Sequence, residues 1–334
     1  MTNPIYELAI IGRITWDLHS LNNEGSIGNV TEPRTVMLAD GTKSDGVSGE
    51  MLKHAHVQAL WQIGRGELPL CSNCQKLEPS KANESDAVKQ TKDTDSAMAA
   101  AVTGCALCDL HGFLVEKPTI NRSSCLEFGW AVGVPDNWHR DLHLHARHAV
   151  GERGKPGKPE KPAKDDKAAK TKAAEAETGE QAAATEEAAG TSQMVYNRPT
   201  RSGIYAVVTV FSPWRIGLEH LHYTYLIDEA QRLKRYQAAM RAYQAMFWRT
   251  DGAMTTTRLP HVEGFAGNVV ISRTNLPVPV VSSLDGGYPQ QIASLVETIG
   301  DGLETIAFAN MAEFVKVMTD LSQGSVPYTL AKEG

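Results

Sequence analysis

Residues 10–56 read IIGRITWDLHSLNNEGSIGNVTEPRTVMLADGTKSDGVSGEMLKHAH. An apolar stretch leads into them, a polar middle follows, and a helical pattern closes them. Over residues 6–15, Tyr6, Leu8, Ile10 and Ile14 fall on one side. Glu7, Arg13 and Thr15 fall on the other, with Ala9 and Ile11 between them. A period of two over this length predicts a half-buried strand with one face on helices. Arg13 is expected on the open face, free for a ligand or paired with a nearby carboxylate.

The polar middle, 18–46, contains Gly25, Gly28, Gly41 and Gly46. Glycine permits positive φ and close approach of backbone to a ligand. Asn22, Asn23, Asn29 and Thr31 offer hydrogen-bond groups to phosphate or ribose oxygens, and Arg34 and Lys43 add positive charge. A long loop between two firm elements is functional or disordered. Ser48 is the expected N-cap of a helix, with Glu50 in its first turn. Met51, Leu52, Ala55, Ala59 and Ile63 repeat at core-facing helical spacing. The free N–H groups of a helix start suit an anion, and Lys53 and His54 lie one turn in. A buried structural role is the alternative for His54.

The series Arg13, Asn22-Asn23-Glu24-Gly25, Gly28-Asn29, Glu32-Pro33-Arg34 and 47–54 (VSGEMLKH) resembles the backbone subunit of CRISPR interference complexes. The resemblance is to the DevR/Csa-type branch of the "Cas seven" superfamily. It covers about the first 65 residues well, the last 135 or so more weakly, and little of the middle. It implies an α+β fold: a ferredoxin-like, RRM-type palm with a finger insertion and a thumb hairpin. Several copies would polymerise along CRISPR RNA as a helical filament. With other Cascade subunits they would present the spacer for pairing with target DNA in antiviral defence. By resemblance, the RNA contacts are Arg13, Asn23, Asn29, Arg34, Ser48, Lys53 and His54, with Arg258 ahead of a late strand.

Composition sets the limits. The 334 residues carry a net charge of -6 and 42% apolar residues. That supports a core and requires any basic surface to be local. No apolar run is long enough to span a membrane and no secretory leader is apparent, so a cytoplasmic protein is expected. Cys71 and Cys74 form one CxxC pair and Cys105 and Cys108 another, with Cys125 left over. Two such pairs predict a tetrahedral four-cysteine site for structural Zn(2+). A deaminase centre is excluded, because His261-Val-Glu263 follows the cysteine pairs and four cysteines leave no open position.

Residues 138–148 (WHRDLHLHARH) place four histidines and two arginines between His139 and His148. They read as a second metal site, a basic loop touching nucleic acid, or a solvated loop. Residues 151–193 are rich in Ala, Glu, Lys and Pro and cannot bury enough apolar surface to fold. Residues 204–211 predict a central strand and 229–248 a helix, with Arg232, Lys234, Arg235 and Arg241 on a solvated face. Further elements are strand 268–272, extended 277–281, helix 289–299, strand 304–308 and helix 312–321.

The expected domains are palm 1–65, zinc-stabilised finger 66–150, a disordered segment 151–193, and palm 194–334. A thumb hairpin is a candidate near 214–225. The expected function is a non-catalytic guide-binding backbone. The alternatives are a related subunit that cuts target RNA with a loop aspartate (Asp40 or Asp45), and a zinc-stabilised regulator binding duplex DNA.

Overall fold

The structure is a computed structural model and describes residues 3–148, 193–300 and 302–331. The principal elements are β1 (Glu7–His19), β2 (Asn23–Ile27), β3 (Val30–Pro33), β4 (Thr35–Met37), β5 (Lys43–Val47) and α1 (Gly49–Gly64). Then come α2 (Thr94–Gly104), α3 (Ala106–His111), β6 (Leu126–Phe128), β7 (Ala131–His148) and β8 (Gln193–Phe211). The chain continues through α4 (Glu229–Trp248), β9 (His261–Ser272), α5 (Tyr288–Ile299), β10 (Leu303–Phe308) and α6 (Met311–Gly324). The expected α+β class holds.

One large sheet runs β10-β9-β1-β8-β7-β5-β4. The pairs β9–β1, β1–β8 and β8–β7 are antiparallel. The alternation in β1 decides how it is covered. Leu8, Ile10, Ile14 and Trp16 are buried in the larger core, with Leu52 and Leu60 of α1, Tyr243 and Phe247 of α4, and Phe314 of α6. Ala9 and Ile11 join a second core with Val270, Val278, Tyr288 and Ile292. Each fully buried aliphatic side chain contributes roughly 1.5–3 kcal/mol. The sheet is therefore packed on both faces along β1. The open face expected beside Arg13 is closed there by the segment 277–299, whose apolar residues fit the pleat.

The polar stretch 18–46 is not a loop. It forms two hairpins, β2–β3 and β4–β5. Gly28, at φ 57°, supplies the left-handed turn of the first. The low-complexity stretch 151–193 lies outside the described residues, except for Gln193, which opens β8. The histidine-rich run 138–148 is strand rather than loop: Trp138 pairs with Gly203 and His148 with Gln193, so β7 and β8 extend beyond the sheet as a two-stranded ribbon.

The element 229–248 forms as its periodicity predicts, with Asp228 accepting from Gln231 N at 2.7 Å as N-cap. Lys234 and Arg241 are exposed as expected, but Arg232 and Arg235 are buried at 3% and 1% exposure, so for these two the expected solvated face is corrected. Arg235 donates to Asp109 of α3 at 2.7 Å, and Arg122 closes on the same carboxylate. Gly217 N adds a third donor at 3.0 Å. This buried knot fixes the cysteine-bearing segment against α4.

A second tie is a histidine pair. His56 Nε2 stands 3.1 Å from Ala239 O, and its Nδ1 stands 3.1 Å from His111 Nε2. Only an N–H satisfies a carbonyl, so His56 is protonated on Nε2 and accepts from His111 through Nδ1. Burial pulls His56 down to about 3, and burial pulls His111 well below the ordinary imidazole value. Both are neutral in the folded protein and protonate on unfolding in acid. This contribution to stability is complete above pH 6.5 and is lost as pH falls from there towards 3, by about 1.4 kcal/mol per pH unit per proton. Urea denaturation across that window should show the decline. His56→Leu should lower stability at neutral pH and flatten the slope; an unchanged slope would remove His56 as its source.

Candidate metal centre and nucleic-acid interface

Cys71 sits at the N-cap of a short helix, Ser72–Gln75, and Cys74 lies within it. Cys105 caps α3 and accepts from Cys108 N at 3.4 Å. Each pair thus presents two thiols from the first turn of a helix. A backbone bond from Ala106 N to Pro69 O, 2.8 Å, brings the two turns together. The four sulfurs all lie within 4.8 Å of one another, with Cys71–Cys108 at 3.9 Å and Cys74–Cys108 at 3.7 Å. A tetrahedron of Zn–S bonds near 2.3 Å requires sulfur separations of about 3.8 Å. The donor set therefore fits a tetrahedral thiophilic ion.

The thiols also perturb one another. The Cys105 thiol pulls Cys71 below the usual range and pushes Cys74 and Cys108 above it. Four mutually facing thiols cannot all ionise without a cation. The spacer between the pairs is ordered, holding a 3-10 turn (Lys81–Glu84), a short helix (Asp86–Lys89) and α2. Cys125 is fully buried outside this cluster, and burial pushes its thiol up to about 11.

The remaining expected site residues fall in five places. Asn23, Arg34 and Ser48 cluster around Asn22. Ser48 N donates to Asn22 Oδ1 at 2.9 Å, Arg34 N donates to Asn22 O at 3.4 Å, and Ser20 Oγ donates to Asn23 Oδ1 at 3.3 Å. Ser48 caps α1, accepting from Met51 N at 3.3 Å. The next residue must be small: a Cβ on Gly49 would stand 2.3 Å from Phe128 O. Arg34 is half-buried over the Trp130 ring at 5.8 Å. Its Nε is 3.9 Å from Glu24 and makes no hydrogen bond. Asn29 is exposed at the β2–β3 turn, held through its own carbonyl by Asn197 N at 2.7 Å.

Beneath this cluster lies a buried network that the sequence did not announce. Asp45 accepts from Arg201 Nη1 at 2.8 Å and from Tyr205 Oη at 2.7 Å. Arg201 Nη2 donates to Asn22 O at 2.8 Å, and His19 Nε2 lies 2.8 Å from Tyr205 Oη. Burial raises the Asp45 carboxyl, opposed by Arg201 and Tyr205, and burial holds His19 well below its usual value. Asp40, by contrast, is exposed in the β4–β5 turn and accepts from Thr42 N at 2.8 Å.

Lys53 and His54 stand apart, on the side of α1 that faces the cysteine segment. Arg13 lies on the other face of the sheet. It donates to Ser283 O and Leu284 O at 2.7 Å each, beside Tyr288. It is held by carbonyls, not by a carboxylate. Arg258 reaches the ribbon, donating from Nη2 to His145 Nε2 at 2.8 Å. His145 stacks on Tyr196 at 5.5 Å, and the Arg198 guanidinium lies over the Tyr196 ring at 4.6 Å. This aromatic and basic face alternates with Leu142 and Leu144, 53% and 69% exposed. Tyr196 and Arg198, both half-buried here, carry no local sequence signal, because this part of β8 has no apolar alternation.

A family model for "CRISPR-associated negative auto-regulator DevR/Csa2" matches residues 10–292. A protein of Thermoproteus tenax described as "CRISPR-associated protein Cas7/Cst2/DevR" is 24% identical over 306 residues, spanning 88% of this chain and 82% of its own. Among solved structures, a chain of a "CRISPR RNA-guided surveillance complex, pre-nicking" is 13% identical with a TM-score of 0.47. That likeness covers 97% of this chain and 96% of the other. A chain of a "CRISPR RNA-guided surveillance complex" is 11% identical with a TM-score of 0.43, over 94% and 98%. Both TM-scores fall below 0.5, too low for either likeness to assign a role to any residue.

The metal reading has a direct measurement. Purified protein should carry one zinc per chain, and Cys108→Ala should abolish it and expose the segment around 66–125 to proteolysis. Structural zinc contributes folding energy outright. A preparation holding far less than one metal per chain, yet resistant to protease, would refute the reading.

Proposed function

The chain belongs to the CRISPR-associated negative auto-regulator DevR/Csa2 family, and from that premise we propose that it is a non-catalytic, guide-binding backbone subunit of a Cascade-type complex. Several copies would lie head to tail along one CRISPR RNA, forming an open helical filament. With partner subunits they would hold the spacer ready to pair with target DNA. A guide holder must grip phosphate and 2′-hydroxyl groups and leave base edges free.

The observation that carries this reading is the cradle at the start of α1. Half-buried Asn23 and Arg34, the latter with an Nε that makes no hydrogen bond, lie at a capped helix start, and exposed Asn29 stands at the tip of the hairpin that begins there. Those groups address a sugar–phosphate chain rather than base edges. Ser48 is spent on the cap and on Asn22, so its part is to shape the cradle. Lys53, His54, Arg13 and Arg258 extend the proposed contact set.

The palm is proposed to be RRM-type. In its support, β1, α1, β7, β8, α4 and β9 follow one another as βαββαβ, with sheet order β9-β1-β8-β7. The cysteine segment would be the finger. It would hold structural Zn(2+) through Cys71, Cys74, Cys105 and Cys108, and the ion would supply folding stability. The β7–β8 ribbon is the better thumb candidate. The stretch near 214–225 is instead a short hairpin, Leu218–Glu219 with Thr224–Tyr225, tied down by Arg122 and Glu219. Among the described residues no helix is long and apolar enough to cross a membrane, in keeping with the cytoplasmic location proposed.

Target-RNA cleavage is the less favoured reading. Asp45 is buried and engaged by Arg201 and Tyr205, so it is not placed to meet a substrate. Asp40 is exposed but stands among no second acid or base in its turn. Incubation of the RNA-loaded protein with complementary RNA and magnesium should leave the target intact. Cutting that Asp40→Ala abolishes would establish the cleaving alternative.

Binding itself is tested by Arg34→Ala combined with Lys53→Ala. The pair should weaken single-stranded RNA binding alike for all sequences and lower the slope of log affinity against log salt by roughly 0.7 for each phosphate released. Unchanged affinity and slope would take the cradle out of the interface. Preference for duplex DNA over single-stranded RNA at the same salt would favour the regulator instead.

A further inference from the structure

The cysteine segment and the palm meet at a cleft of about 460 Å³, whose wall includes Lys53 from α1 and Lys81, His111 and Gly112 from the cysteine segment. Lys81 Nζ is held in place by the C-terminal carbonyls of α3, at 2.9 Å from Gly112 O and 3.3 Å from His111 O. Lys53 comes from the opposite side. Among the described residues neither lysine forms an ion pair. The nearby carboxylates are placed otherwise: Glu78 pairs with Lys76, and Glu50 and Glu116 line the clefts without reaching either ammonium group.

Two positive groups from different parts of the chain therefore share a partly dehydrated space in which no carboxylate pairs with either; the negative groups acting on Lys81 are the cysteine thiolates. Burial draws both below the usual lysine range, and the charge of Lys81 lowers Lys53 further. A third feature points to a ligand. His111 is 1% exposed, lines the same cleft, and its Nδ1 has no hydrogen-bond partner. Since His111 donates to His56 through Nε2, that Nδ1 is an acceptor, which a hydroxyl would satisfy. A buried acceptor left without a donor is costly, so a ligand hydroxyl that reached it would be favoured. Ser80 and Asn83 add neutral groups of the kind that bind phosphate oxygens, whereas the Ser124 hydroxyl is spent on Leu126 O at 2.6 Å and Arg122 on Asp109.

We propose that Lys81 and Lys53 form a seat for one ribose-phosphate unit of an RNA strand, built jointly by the metal-bearing segment and the palm. This rests on the guide-binding reading and gives the metal segment a task within it: carrying a phosphate contact. None of the four cysteines lines this cleft: Cys74 lines the neighbouring one with Lys53 and Lys81, and Cys71, Cys105 and Cys108 line another. The metal's part is thus to fix the helix on which Lys81 rests.

The test uses the full chain and a single-stranded RNA of about one spacer's length, titrated at several salt concentrations. Lys81→Met should weaken binding about three- to tenfold near 0.1 M salt and lower the log–log slope by roughly 0.7. Lys81→Arg should restore both, because it keeps the charge and the donors to the α3 carbonyls. Lys316→Met, on an exposed face of α6 paired with Asp320, should behave as the parent. Parental affinity and slope in Lys81→Met would overturn the proposal, and so would an arginine variant as weak as the methionine one. Inorganic phosphate separates the sources: if millimolar phosphate saturates the seat without weakening RNA binding, the ligand is a free anion and the proposal fails. If the parent binds no RNA, the guide-binding reading itself falls. If the parent binds and only Lys81 is inert, this inference falls alone.

Discussion

The side chain of Arg201 is the constraint on which the functional end of this molecule depends. It is fully buried at the place where β8 leaves the sheet to become the ribbon. One nitrogen engages Asp45 of β5 and another takes the carbonyl of Asn22. Asn22 in turn orients the first residue of the α1 cap. A guanidinium presents several donors in a rigid plane, so one side chain fixes three backbone segments at once. Removing it would leave Asp45 buried and uncompensated, a loss of about 3–5 kcal/mol. The polar hairpins above have few apolar contacts of their own, so their geometry is inherited from this ion pair.

The same device recurs at the other junction. Asp109, with no exposure, receives Arg235 from α4 and Arg122 from a short strand, Ile120–Arg122. In both cases a short, stiff carboxylate on one element meets an arginine from an element distant in sequence, Asp45 with Arg201 and Asp109 with Arg235. Each tie joins two parts of the chain inside an apolar core. Such ties are costly to dehydrate and unforgiving of displacement. They specify where the joined segments sit, beyond adding to the stability of the whole.

Much of the framework formed by β1, α1, β8 and α4 was legible in the sequence. The alternation in β1 and the three-to-four spacing in α1 and α4 identified those elements directly, and the two CxxC pairs announced their cluster. The failures have physical causes. The hairpins β2–β3 and β4–β5 are built from NEGSI, VTEP, TVM and KSDGV, with too little apolar alternation to read as strands. Arg232 and Arg235 read as solvated because charge normally is, although Arg235 lies beside Tyr236 and one turn before Ala239 and Met240 on the buried stripe. What buries Arg235 is Asp109, more than a hundred residues away, and no local pattern reveals it. Arg13 sits beside carbonyls from residues 283 and 284 for the same reason.

Charge balance joins these observations. The Asp109 knot carries two arginines to one carboxylate, and Lys81 and Lys53 stand close by without acids of their own. Four neutral thiols would leave that surplus uncompensated inside a junction where water is scarce. A divalent ion bound by four thiolates is dianionic and would offset it, acting on Lys81 from the sulfurs of Cys108 and Cys74. The positive groups of the junction and the cysteine cluster are then parts of one electrostatic arrangement. Loss of the ion would disturb the lysines as well as the local fold. Under the proposed guide-binding reading, the cysteine segment would act on RNA without a sulfur contact, through the lysines held where it meets α1.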